Sequence, residues 1–285
     1  MARRAVIIGG GGQLGGAASI DFHAAGWEVI VPSRDEVDVE DAKKTAESIT
    51  ALNPDVVLNC AWLPVLDCEK DVARAYRINA LGAHSVARGA AQAGALVIHI
   101  STDYVFDGSI PEGVNEKICP RPLNIYGASK LAGEHLVAIA NPRHYIVRTS
   151  ALFGLHAKPL GNFLLKMKAR ADAGEKTQVV NDQITKPTFA EDLAPLLRDM
   201  IERETPSGLY HATNEGTATW YDLAREVFAH EGKSELITPV ATVPDPSGII
   251  RPQYSILKSD TLATLGFKKL PSWKDAVARY LEQLS

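Results

Sequence analysis

Ala5-Val6-Ile7-Ile8-Gly9-Gly10-Gly11-Gly12-Gln13-Leu14-Gly15 is the stretch that decides the fold of this chain. Its four apolar residues run without a polar interruption, the pattern of a strand buried on both faces of a parallel sheet. The run breaks into a G-x-x-G-x-x-G turn, and an amphipathic helix is predicted from Gly12 to Ala25. Glycines let the backbone turn tightly and approach a bulky anion, and the last one brings helix and strand close together. The leading N–H groups of the helix lack intrahelical partners and present the positive end of its dipole. A strand, this turn and a helix in succession therefore predict a dinucleotide pyrophosphate at Gly9, Gly12, Gln13, Leu14 and Gly15.

Outward from that unit the alternation repeats. Strands are predicted at Glu28 to Val31, Val56 to Asn59, Leu96 to Ile100 and Tyr145 to Val147, with helices over Val39 to Leu52, Val72 to Ala93 and Gly127 to Ala140. Repeated strand–helix units imply right-handed crossovers and an α/β fold with a doubly wound parallel sheet of the Rossmann type. Past Leu155 the rhythm changes. Helices are expected at Asn162 to Ala171, Phe189 to Arg203, Trp220 to Glu231 and Ser272 to Leu284, strands at Gln178 to Val180 and Leu209 to Ala212, and a loop from Pro239 to Pro252. The sequence thus predicts a dinucleotide-binding domain of residues 1–154 and 184–212. A smaller, interleaved α/β substrate-binding domain takes residues 155–183 and 213–285.

Hydrophobic residues are 46% of the 285 and charged residues 22%, enough apolar material for a core without disulfide or metal staples. Lys and Arg total 30 against 34 Asp and Glu, a net charge of -4 that argues against a nucleic-acid partner. Three cysteines with no CxxC spacing fit a reducing cytoplasm and no metal site. No apolar run approaches a membrane span.

The second predicted strand ends in Val31-Pro32-Ser33-Arg34. A carboxylate there would take the ribose 2′-hydroxyl of NAD, whereas Ser33 and Arg34 suit the 2′-phosphate of NADPH; NADH is the alternative cofactor. Asp38-Val39 follows at a spacing that brings the carboxylate to the adenine amino group, or equally makes Asp38 an N-cap. Further on come Ser101-Thr102-Asp103-Tyr104-Val105-Phe106-Asp107-Gly108 and Tyr126-Gly127-Ala128-Ser129-Lys130. Residues four apart share a helix face, so Lys130 lies beside Tyr126, where an ammonium is expected to pull the phenol toward its working range. Thr102, at a strand end, is placed to donate a hydrogen bond to a substrate carbonyl.

These motifs resemble the extended short-chain dehydrogenase/reductase superfamily and, within it, the dTDP-4-dehydrorhamnose reductase family. The similarity extends through Pro122-Leu123-Asn124-Ile125-Tyr126, Arg148-Thr149-Ser150, Asn181-Asp182-Gln183, Pro187-Thr188 and Arg251-Pro252. It implies reduction of a 4-keto-6-deoxy nucleotide sugar in deoxysugar biosynthesis. Tyr126 would deliver the proton, Lys130 tune it and hold the nicotinamide ribose, and Thr102 orient the carbonyl. Asn59, Cys60, Ala61 and Asn79 would line the cofactor pocket; Asp103, Val105, Phe106, Trp62, Ala151, Asn162, Gln183, Lys186 and Arg251 would face the nucleotide sugar. A homodimer is a further implication, and no ligand cluster supports the metal around which some relatives dimerise.

Three departures from the family pattern stand out. Pro64 holds a threonine position, Ala151 replaces a tryptophan that Trp62 substitutes unless it is a core aromatic, and Lys186 brings a charge either to a diphosphate or to the surface. Related 4,6-dehydratases carry Asp-Glu after the strand-end threonine; Asp103-Tyr104 lacks that glutamate. A 4-epimerase, or a cofactor-binding regulator resembling the beta subunit of methionine adenosyltransferase, are the competing readings.

Overall fold

The structure is a computed structural model that describes residues 2–156 and 161–284. Strands β1 (Arg4–Ile8), β2 (Glu28–Ile30), β3 (Val56–Asn59), β4 (Leu96–Thr102) and β5 (His144–Thr149) join the strand Gly208–His211 in one six-stranded sheet. The order is β2-β1-β3-β4-β5 followed by Gly208–His211, with every pairing parallel. The order reverses between β1 and β3, and at such a switch point a crevice opens beyond the strands' carboxyl ends. Both residues that emerge there, Gly9 and Cys60, belong to the predicted site.

Alternation along β1 separates two cores. Ala5 and Ile7 pack with Leu14, Ala18 and Phe22 of α1 (Gln13–Ala24) and with Leu193 and Leu197 of the helix Ala190–Glu202. Val6 and Ile8 pack on the opposite face with Ile49 of α2 (Ala42–Ala51) and with Val86 and Ala90 further along the chain. Each Val, Leu, Ile or Phe among them, fully buried, is worth about 1.5–3 kcal/mol. A third core belongs to the smaller unit, where Phe153 stacks on Phe189 at 5.1 Å and Tyr280 meets Phe153 edge-on at 5.3 Å. Leu262 and Phe267, expected in the smaller unit, pack with the first core instead.

Several boundaries differ from the sequence reading. A short helix α3 (Val65–Lys70) precedes the stretch expected as one helix, and that stretch divides into α4 (Val72–Tyr76), a π-helical turn Arg77–Gly82 and α5 (Ala83–Gln92). The wide turn carries the fully buried Asn79, whose Oδ1 accepts from the Leu63 N–H at 2.9 Å and whose Nδ2 donates to Ser129 Oγ at 3.0 Å. Helix α6 (Ile125–Ala140) begins two residues early because Asn124 caps the Gly127 N–H at 2.9 Å. Helix α2 begins late because Asp41, not Asp38, is its cap. The predicted Pro-rich loop contributes its first residues to the strand Ile237–Val240, paired with Thr177–Val180. Pro239 is tolerated in a two-stranded pair, where one side of each strand needs no ladder bond. Among the described residues no helix is long and apolar enough to cross a membrane.

Candidate active site

A cavity of about 300 Å³ opens at the carboxyl ends of the strands, bounded by α1's first turn, the β4 and β5 ends, α6 and the smaller unit. Gly9 adopts φ +78°, and a Cβ on it would lie 3.0 Å from the Cys60 carbonyl carbon. A Cβ on Gly15 would sit 2.6 Å from Gly10 Cα. Gly12 supplies no side-chain cap, so α1 keeps free N–H groups, and Gly12, Gln13, Leu14 and Gly15 all line the cavity. A side chain on Gly11 would point into open space. This uncapped turn fits a pyrophosphate.

At the adenine end, Ser33 donates to Glu36 through its N–H at 2.7 Å and its hydroxyl at 2.8 Å. Arg34, largely exposed, lies 2.8 Å from Glu40, and the same carboxylate holds Arg74 at 3.1 Å and Arg77 at 3.7 Å. Three guanidiniums thus gather on one carboxylate beside the Ser33–Arg34 turn. Arg74 and Arg77 escaped the sequence reading because only folding brings them to Arg34. Asp38 accepts from the Glu40 N–H at 3.1 Å, and Val39 packs on the core.

Under the nicotinamide end, Asn59 Oδ1 accepts from the Ala61 N–H at 3.1 Å, which leaves its Nδ2 to donate to His99 Nδ1 at 3.2 Å. The Cys60 thiol is pushed up to about 12 by burial and stays protonated. Lys130, fully buried, donates to the Ile100 carbonyl at 2.6 Å and lies 3.4 Å from His99 Nε2; burial draws its amine down to about 8.

Tyr126 is clasped by two aromatic rings, Trp62 at 6.0 Å and Tyr104 at 5.6 Å, both edge-on. Burial holds its phenol above the ordinary value, while a hydrogen bond with Thr102 offsets part of the rise. The expected depression by Lys130 is therefore corrected. Helical spacing fixes neighbouring Cβ atoms but not an amine four bonds further out, and this one turns to the Ile100 carbonyl. Thr102 Oγ1 donates to Asp103 Oδ1 at 3.0 Å and accepts from the Tyr104 N–H at 3.2 Å. Asp103 is buried, and its pKa is raised by burial against hydrogen bonds from Ser255, Thr102 and Ser150.

Trp62, Ala151 and Asn162 line the cavity. Asn162 caps the helix Phe163–Asp172 and donates to Tyr280 Oη at 2.9 Å and to Gln13 Oε1 at 3.4 Å, tying the smaller unit to the glycine turn. Ala151 adopts φ +42°, and the neighbouring Thr149 Oγ1 is buried without a partner among the described residues. Arg251 pairs with Asp245 and lowers the Tyr104 phenol, which burial and Asp103 push up to about 12.

Arg251 does not line the cavity, and four further expected substrate contacts lie elsewhere. Val105 and Phe106 are buried with Val114 and Leu257, because the tight turn Asp103–Val105 tucks them under the loop. Gln183 donates to Thr242 at 3.0 Å outside the cavity wall. Thr185 meets Ser150 at 2.6 Å, so the next residue along an extended chain, Lys186, points the opposite way.

The family model described as RmlD substrate binding domain matches residues 3–285. A solved dTDP-4-dehydrorhamnose reductase from Bacillus anthracis, in complex with NADP, superimposes with TM-score 0.94 at 33% identity, covering 99% of this chain and 100% of that one. The dTDP-4-dehydrorhamnose reductase of Mycobacterium tuberculosis is 35% identical over 98% of this chain and 92% of its own. The spore coat polysaccharide biosynthesis protein SpsK of Bacillus subtilis is 33% identical over 99% and 98%. The chain belongs to the dTDP-4-dehydrorhamnose reductase family.

Beneath the site this reductase family member buries two neutral histidines. His211 Nδ1 donates to the Lys258 carbonyl at 3.1 Å; burial, with Arg148 beside it, takes its pKa down to about 3. Burial, then Lys130, holds His99 well below its ordinary value. Below about pH 6.5 the unfolded chain binds a proton at each while the folded protein does not. Their contribution is therefore fully present above that pH and lost as pH falls, approaching about 1.4 kcal/mol per unit for each histidine. Urea midpoints measured near pH 7 and pH 5 should show the loss, and His211→Gln should flatten the slope; an equal slope in that variant would refute the assignment.

Proposed function

We infer that this protein reduces the C4 carbonyl of a dTDP-linked 4-keto-6-deoxy sugar with NADPH, as a dTDP-4-dehydrorhamnose reductase. One observation carries the reading: Thr102, Tyr126 and Lys130 line the same cavity as the uncapped glycine turn. The family's named reductases, and the relative solved with NADP, support it.

The pyrophosphate would lie on Gly9, Gly12, Gln13, Leu14 and Gly15, the 2′-phosphate against Ser33, Arg34 and Arg74, the adenine near Asp38 and Val39, and the nicotinamide ribose near Asn59, Cys60, Ala61, Asn79 and Lys130. Bound there, NADPH supplies the hydride. Thr102 would turn its one hydroxyl proton from Asp103 to the C4 oxygen, and Tyr126 gives that oxygen its proton. A phenol raised by burial is the protonated form a reduction needs, and two flanking rings hold it in one orientation. Lys130 would hold the nicotinamide ribose with the donors that its bond to the Ile100 carbonyl leaves. Trp62, Asp103, Ala151, Asn162 and Arg251 would contact the nucleotide sugar, with Trp62 taking the role of the aromatic absent at 151. Asp103 has no glutamate beside it to complete an eliminating pair, which favours reduction over dehydration.

The test is NADPH consumption by the purified protein with a panel of 4-keto-6-deoxy nucleotide sugars, with product configuration read by NMR. One NADPH should disappear per sugar reduced. NADPH should be preferred to NADH by about tenfold or more, the worth of one charge-assisted hydrogen bond to the 2′-phosphate. Absence of turnover on every sugar, or inversion at C4 with retained NAD⁺, would overturn the reading; the latter outcome indicates an epimerase.

A further inference from the structure

A second cavity, about 280 Å³, lies between the segment that leaves the strand Gly208–His211, the residue Lys186 and the short helix Asp260–Thr264. None of its lining residues borders the central cavity. Its floor is apolar, with Leu196, Leu262 and Phe267 from the first core. Its walls carry four lysines, Lys186, Lys258, Lys268 and Lys269, against two carboxylates, Glu215 and Asp260.

Both carboxylates are already engaged. Glu215 holds Lys269 at 2.9 Å and Lys186 at 3.5 Å, and Asp260 accepts from Asn115 at 2.9 Å. The Lys186 side chain is 10% exposed, and Glu215, at that long distance, is its one ion-pair partner among the described residues. An ammonium carries three donors, so two of these have no partner among the described residues. Thr213, 3% exposed, also lines the cavity, and its hydroxyl has no partner among the described residues. Buried polar groups are nearly always satisfied in native proteins, and here two donors and surplus positive charge border the same hollow.

We propose that this cavity binds a small organic phosphate, its oxyanion held by Lys186 and Thr213 and its apolar part resting on Leu262 and Phe267. A phosphate dianion matches the surplus of two lysines, and each of its oxygens accepts from a positioned donor. Glu215 competes for the same lysine, so it limits affinity.

Calorimetric titration of the full-length protein with phenyl phosphate, inorganic phosphate and benzoate tests this. Phenyl phosphate should bind more tightly than either of the others. Lys186→Met should weaken it by about tenfold or more and the near-isosteric Thr213→Val by a smaller factor, the effect of losing hydrogen bonds to a charged ligand. Glu215→Gln should tighten it severalfold by releasing Lys186. Should Lys186→Met fail to fold, Thr213→Val and Glu215→Gln still decide. Unchanged binding in these variants, tighter binding of benzoate, or no binding of phenyl phosphate would each overturn the proposal.

Discussion

Replacing Tyr126 with phenylalanine is expected to lower kcat by about 10³-fold while leaving the protein folded, since positioned proton donors typically contribute 10²–10⁴. The change removes one hydroxyl and keeps the ring between Trp62 and Tyr104, so the packing that orients it survives. KM should move little, because the lost proton matters where charge builds on the C4 oxygen rather than in the bound ground state. Thr102→Val should cost less, as it removes an orienting bond and leaves the donor. The comparison is steady-state kinetics with NADPH and the keto sugar, alongside thermal melts of both variants. Near-normal turnover in the phenylalanine variant would strip Tyr126 of its role.

The sheet was readable because its strands are buried on both faces and betray themselves as continuous apolar runs: each observed sheet strand lies within about two residues of its predicted span. Helix ends were less readable, since caps decide them. Asp41 and Asn124 outcompete the residues that periodicity favours, and periodicity says nothing of the π-turn around Asn79. That turn packs tightly against its neighbour. Gly133 of α6 lies against the Asn79 carbonyl so closely that any Cβ there would overlap it. Short pairings such as Ala218–Thr219 with Ile184–Thr185 have too few residues for any pattern.

The glycine turn and the Thr102, Tyr126 and Lys130 set were legible because local spacing fixes them. What escaped was orientation and long-range company. Nothing in the sequence tells that Lys130 reaches for Ile100, that Arg74 and Arg77 join Arg34 at Glu40, or that Lys186 faces its own cavity. Val105 and Phe106 sit within the most recognisable motif of the chain, yet their apolar side chains serve the core beneath it.

The other large effect lies under the site. Arg148 on β5 grips Glu134 on α6 with two hydrogen bonds, Nε to Oε1 at 2.8 Å and Nη2 to Oε2 at 2.6 Å, with both side chains no more than 5% exposed. Ser101 on β4 donates to the same carboxylate, and the guanidinium lies 5.0 Å from the Phe106 ring centre. Arg148→Met should cost about 3–5 kcal/mol, because it strands a buried carboxylate rather than merely deleting an ion pair. The deficit should show as a fall in urea midpoint, and adding Glu134→Leu should recover most of it. Turnover should fall too, since Thr102 adjoins Ser101 and Lys130 stands one turn before Glu134, and catalysis is sensitive to such misplacement. A deficit under about 1 kcal/mol would mean that water reaches this pair and that the site is positioned by backbone packing alone.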